Sequence, residues 1–270
     1  MFIYKTSLSI ALKRENNVIF KILWSIPRTV IENSLFYCSS QLISITIPSS
    51  VKEICDSAFY KCSSLEAIAF PSSVERIGSH SFYDCSAMRK ISFEAPSSLT
   101  SIGNSAFFNC CLIKELELPS SVVTIGSDAF RYCSTIKKLV LSSKIEEIQD
   151  FAFAGCDSFK ELSIPSSIKH IGSYVFNKCI LLTKVTFDDP SSIESIEKGA
   201  FNECKSLKDI KLPSSLLTIN SSLFCQCSAF TQITLPPSVT SIENYGFSQC
   251  AMLKQIVIPK SVTEIAASAF

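Results

Sequence analysis

The residues best equipped for chemistry are thirteen cysteines and two histidines, His80 and His170. A cysteine nucleophile needs a base within hydrogen-bond reach. His80 falls in a glycine-led turn and His170 in an apolar segment four repeats further on, so stacking would separate them by roughly 20 Å. Nothing in the spacing pairs either with a cysteine. Structural zinc needs paired ligands such as two Cys-x-x-Cys steps; the chain offers only vicinal Cys110-Cys111 and the pair Cys225-Gln226-Cys227. It carries neither a phosphate-binding glycine loop nor His-Glu-x-x-His. The expectation is a non-enzymatic chain with no cofactor and no metal. Asn220-Ser221-Ser222 matches a glycosylation sequon, informative only if the chain enters a secretory pathway.

Ten cysteines share one position: Cys38, Cys62, Cys85, Cys110, Cys133, Cys156, Cys179, Cys204, Cys227 and Cys250. Their spacings run 24, 23, 25, 23, 23, 23, 25, 23 and 23 residues. A residue returning once per repeat does one packing job many times, so this column is expected to be buried and reduced. Disulfides or a metal site are the alternatives, since stacking brings neighbouring backbones to about 5 Å. Cys55, Cys111 and Cys225 stand outside the column, and the odd total leaves at least one thiol unpaired within the chain.

The elements that position these residues follow from the repeat. From Phe107 to Phe130 it reads Phe-x-x-Cys110, Ile113, Leu116-x-Leu118-Pro119-Ser120-Ser121-Val122, Ile125-Gly126 and Ala129-Phe130. Side chains two apart share a face of a strand, so Leu116 and Leu118, like Ile68 and Phe70, predict a short strand with one buried face. Proline then ends the ladder, having no N–H to donate; only Ser142 replaces it in a clear repeat. Ser-Ser suits a turn. A second apolar segment, Val-x-x-Ile, leads through glycine, read as a bend, to Ala-Phe. Two-residue insertions, Glu94-Ala95 and Asp188-Asp189, precede the proline in two repeats four apart. They are expected about 20 Å apart along one edge of the stack.

A single repeat cannot bury its own flanks, so the array must fold cooperatively. Residues 1–17 fit the pattern poorly; Thr6 to Leu12 would make only a minimal signal core, followed by Lys13, Arg14 and Glu15. Residues 18–37 form a degenerate first repeat with Phe20, Trp24, Ile26-Pro27, Val30 or Ile31 and Leu35, its second half a few residues short; Trp24 is expected to cover the open end. Residues 38–270 hold the regular repeats, the last one truncated at Phe270. That apolar end predicts end-to-end self-association. Lys and Arg number 25 against 24 Asp and Glu, a balance that gives no reason to expect nucleic acid or an anionic membrane. Mean hydropathy is +0.30, but no apolar run of about 18 residues predicts direct membrane insertion.

The pattern Cys-x-x-Leu-x-x-Ile-x-Leu-Pro-Ser-Ser-Val-x-x-Ile-x-x-x-Ala-Phe resembles the BspA-like leucine-rich repeats of oral bacteria and mucosal protozoan parasites. The resemblance covers about 18–270. It implies a curved, mainly β solenoid with parallel strands on its concave side, about ten clear repeats plus the degenerate one. It further implies a cell-surface or secreted protein that adheres to host cells or matrix by binding protein or glycan. An intracellular interaction scaffold in the cytoplasm is the alternative, since no convincing signal peptide is present. Geometry names the ligand-facing positions as the outward residues of the first strand: Lys90, Glu115, Glu117, Lys138, Glu161, Lys184, Asp209 and Lys211 foremost. An ordinary solvated sheet face is the bland reading of the same residues, and alternating signs in adjacent repeats suit cross-strand ion pairs.

Overall fold

The computed structural model describes residues 28–270; the signal-like Thr6 to Leu12, Phe20, Trp24 and Pro27 lie outside the described residues. The chain coils as a parallel β-solenoid of about ten turns, with no helix among the described residues. Most turns lay down two strands. The first apolar segment gives the longer one, as in Ala67–Phe70, Glu115–Glu117 and Glu161–Ile164, with outward and buried residues alternating. The Val-x-x-Ile segment gives a strand of only two residues, such as Arg76–Ile77 or Thr124–Ile125.

These short strands make the continuous spine. Eight of them pair in one parallel sheet from Val30–Ile31 to Ser195–Ile196, and Thr218–Ile219, Ser241–Ile242 and Glu264–Ile265 continue as a second sheet. Isoleucine meets isoleucine at every pairing, Ile54 beside Ile77 and Ile102 beside Ile125. The longer strands are less continuous and break into four groups, 67–93, 115–140, 161–210 and 232–257. The pairing of Val30–Ile31 with Glu53–Ile54 also shows that the first repeat is in register from Ile31 to Phe36. The step from Ile31 to Phe36 equals that from Ile54 to Phe59, so the shortfall lies before Val30.

Three side-chain columns lock each turn to the next. Phenylalanines stack from Phe36 to Phe270, with ring centroids 4.9–5.8 Å apart. Nine of the ten expected column cysteines, Cys62 to Cys250, are free and mostly buried. Cys38 is not in the column, because it comes one residue early, sits exposed at the left-handed position that Lys61 holds in the next turn, and leaves Ser39 in the column. Each thiol from Cys62 to Cys250 donates to a phenylalanine carbonyl of the preceding turn, Cys133 Sγ to Phe107 O at 3.2 Å for example. Burial pushes the Cys62 and Cys250 thiols up to about 12 and raises those between them as well, because a thiolate there would lose its hydration. The serine two residues after the proline bonds back in the same way in six turns, Ser167 Oγ to Ile145 O at 2.6 Å for example, whereas the buried Ser121 Oγ has no partner. Where Lys144 stands in that serine's place, Ser142, which replaces the proline, reaches Val122 O at 2.8 Å instead.

The bend expected at glycine has another basis. Gly78, Gly126 and Gly172 do not have positive φ; a Cβ there would stand 2.5–2.7 Å from Asp56, Asn104 or Asp150 of the preceding turn. Those side chains cross the junction to accept the N–H of Ser79, Ser127 and Ser173. Left-handed backbone occurs instead at residues such as Ser57, His80, Asp128 and Phe151, of which only His80 and Asp128 belong to types that favour it.

Candidate binding surface

All eight positions predicted to face a ligand are exposed: Lys90, Glu115, Glu117, Lys138, Glu161, Lys184, Asp209 and Lys211. They alternate along the longer strands with buried partners such as Leu116, Leu139 and Val185, which is why period-two reading found them. The expected charge pairing is sparser than the alternation suggests. Glu115 lies beside Lys138 in register, yet Lys138 Nζ bonds diagonally to Glu117 Oε1, and this bond raises the Lys138 pKa. Glu161, Lys184 and Asp209 are register neighbours but form no ion pair.

The insertions give this face its relief. Beside Glu94-Ala95 a groove of about 670 Å³ opens between the turns, lined by Lys90, Phe93, Pro96, Lys114, Glu115 and Glu117 among others. Beside Asp188-Asp189 an equivalent groove of about 500 Å³ is lined by Phe187, Asp209, Lys211, Leu212, Gln232 and Pro236 among others. Both insertions pass through a cis X-Pro bond, Ala95-Pro96 and Asp189-Pro190. Five of the eight predicted residues therefore line two grooves, while Lys138, Glu161 and Lys184 occupy the sheet between them. Sequence reading named the insertions and the outward residues separately; what it missed was that each insertion, by lengthening one exit, opens a groove against the next strand.

The residues first weighed for chemistry are dispersed. His80 is exposed at a left-handed turn position. On the short-strand side, His170 Nδ1 lies 3.2 Å from Ser195 Oγ and Nε2 lies 3.7 Å from Glu194 Oε2. In an acyl-transfer triad a desolvated carboxylate holds one ring nitrogen while the other takes the serine proton. Here the carboxylate is largely exposed and belongs to the residue beside the serine. Among the described residues, no three His, Cys, Asp or Glu converge as metal ligands, and no helix is long and apolar enough to cross a membrane. The sequon asparagine is committed to the fold, its Nδ2 donating to Ile196 O at 2.7 Å.

Comparison with known families finds a match to this repeat array. The model for the BspA type leucine-rich repeat region matches residues 29–158, 89–191 and 182–270. The chain belongs to that family. Among solved structures, a leucine-rich repeat protein from Bacteroides ovatus is 28% identical over 90% of this chain and 79% of its own, with a TM-score of 0.54. The leucine-rich repeat protein TpLRR of T. pallidum is 28% identical over 70% of this chain and 78% of its own, at 0.50. The pneumococcal vaccine antigen PcpA is 25% identical over 83% of this chain and 58% of its own, at 0.52. No curated protein matches the chain.

Proposed function

We propose that this chain is a non-enzymatic binding module which works at a cell surface and holds a protein or glycan ligand on its long-strand face. The observation that carries the reading is the division of labour within each repeat. The recurrent Cys, Leu, Ile, Val and Phe positions are spent on the core, whereas the outward strand positions differ from turn to turn and run into two grooves. A rigid scaffold with a variable, indented face is suited to recognition. That PcpA is a vaccine antigen favours a role met by a host. Purified protein is expected to bind at least one host-cell surface or matrix protein, and charge reversal at Lys211 or Glu115 is expected to weaken that binding about tenfold or more. Uniform failure to bind across such a panel would overturn the reading.

An intracellular interaction scaffold is the second reading. It is favoured by thirteen free cysteines, a composition suited to a reducing compartment. Protease treatment of intact cells separates the two, because surface protein is cleaved and internal protein is spared.

A further inference from the structure

The overall charge balance conceals a local segregation. The residue just ahead of the long strand is basic in four successive turns: Arg89, Lys114, Lys137 and Lys160. All four are exposed. None forms an ion pair, although Lys138 beside them does. The row flanking them on one side, Ala87, Leu112, Thr135 and Ser158, carries no charge, and the row on the other side, Lys90, Glu115, Lys138 and Glu161, sums to zero. The four cations are therefore not cancelled by either flanking row, and the one anion in their own row, Glu66, lies at its end, one turn before Arg89. At about 5 Å per stacked turn the row spans roughly 15 Å, and the long-strand sheet parts at two of its three steps, between Arg89 and Lys114 and between Lys137 and Lys160. Backbone continuity within the row is visible at its middle step, where Lys137 N donates to Lys114 O at 2.7 Å. Arg89 and Lys114 also line the groove beside Glu94-Ala95.

We infer that this row is a track for a linear sulfated polysaccharide lying along the stack. The inference rests on the binding-module reading above and narrows its ligand. A row of cations without ion pairs, one per turn, fits a chain with an anionic group on successive sugars. Single-stranded nucleic acid would call for aromatic platforms on which bases stack, and the outward long-strand positions near the row are Ser92, Glu117, Val140 and Ser163. The sugars would rest on Ser92, Val140 and Ser163 while their sulfates meet the row and Glu117 stays paired with Lys138. The probe is a size-defined heparin octasaccharide titrated into the intact chain at several salt concentrations.

Four contacts predict a log–log salt slope near −3, hence roughly 50-fold weaker binding at 200 mM than at 50 mM salt. Lys114→Gln with Lys137→Gln should halve that slope and weaken binding at least about tenfold, while Lys114→Arg with Lys137→Arg should retain it. Lys52→Gln with Lys169→Gln removes equal charge from the short-strand side, where both lysines are ion-paired, and should leave binding unchanged. Equal loss in that control pair, equal binding of fully desulfated heparin, or equal binding of oligothymidine or phosphatidylserine vesicles would each overturn the assignment. So would absence of heparin binding in a preparation that still binds a matrix protein, an outcome that leaves the module reading intact.

Discussion

Asn220→Ala tests how one turn is joined to the next. At nine junctions the backbone N–H following the isoleucine position donates to the isoleucine carbonyl of the turn before, as Gly126 N does to Ile102 O at 2.9 Å and Glu243 N to Ile219 O at 2.9 Å. At the junction between Ile196 and Ile219 the short-strand sheet is interrupted, and Asn220 Nδ2 takes over the bond to Ile196 O at 2.7 Å. Removing the amide leaves that carbonyl without its donor, a loss of about 1–2 kcal/mol for a half-buried site. In a solenoid, stability is the sum of turns and their nearest-neighbour interfaces, so the loss should be localised. Urea denaturation followed by far-UV circular dichroism should show the destabilisation. Hydrogen exchange should rise about 5- to 30-fold in peptides covering 193–226 and stay constant in those covering 100–150. Asn220→Asp, which turns an acceptor toward an acceptor, should be at least as damaging. Stability within about 0.3 kcal/mol of the parent, with unchanged exchange at 193–226, would refute the role given to this amide.

Gly78→Ala should cost about 1–3 kcal/mol by denaturant titration. Asp56→Ala should not fully rescue it, because the new Cβ would still stand 2.8 Å from Asp56 N; complete rescue would show that the carboxylate alone limits the space. Phe153→Ala, in the middle of the ring stack, should cost about 3–5 kcal/mol, and a loss under about 1 kcal/mol would contradict a continuous core. The thiol column predicts alkaline sensitivity. The folded pKa lies above the unfolded one, so this stabilisation is complete below about pH 8.5 and falls by about 1.4 kcal/mol per pH unit for each buried thiol above it. For Cys62 that loss continues to about pH 12. A flat stability profile between pH 8 and 10 would sink the assignment. Alkylation of the native chain should reach Cys38, Cys55, Cys111 and Cys225 well before the buried column, and uniform labelling would contradict the burial.

How much the sequence disclosed depended on whether a role leaves a periodic mark. The isoleucine, phenylalanine and cysteine columns recur from turn to turn, and their burial was legible because apolar spacing reports a buried face directly. The second strand was hidden, since Thr124–Ile125 is too short to show alternation, although its ladder is the longest in the molecule. Glycine misled for a different reason: Gly78 answers to Asp56, 22 residues earlier in the sequence, and local reading cannot see a neighbour across a turn. The thiol bonds and the second-serine bonds were invisible for the same cause, as both partners belong to different turns. On the binding face, outward residues could be named but the grooves could not. A groove is a consequence of where an insertion lets the ladder part, and that is a tertiary outcome.

The uneven continuity of the two ladders bears directly on why the binding face can vary. Among the described residues the short-strand sheet has a single seam, bridged by Asn220, and the phenylalanine stack and the thiol bonds continue across it within the core. The longer strands part at three junctions, after 93, 140 and 210, without interrupting the phenylalanine stack at any of them. Cohesion between turns thus rests on the short strands and the buried columns rather than on the ladder that carries the variable residues, and an insertion at a long-strand exit can open a groove at a local cost only. Both insertions fall at that exit, before Pro96 and Pro190, where the next short strand can still return to register: Arg76 pairs with Ser101 and His170 with Ser195 despite the two extra residues. A two-residue insertion placed between Val122 and Ile125 would instead displace the isoleucine spine. It should therefore destabilise the chain far more than the same residues added before Pro119.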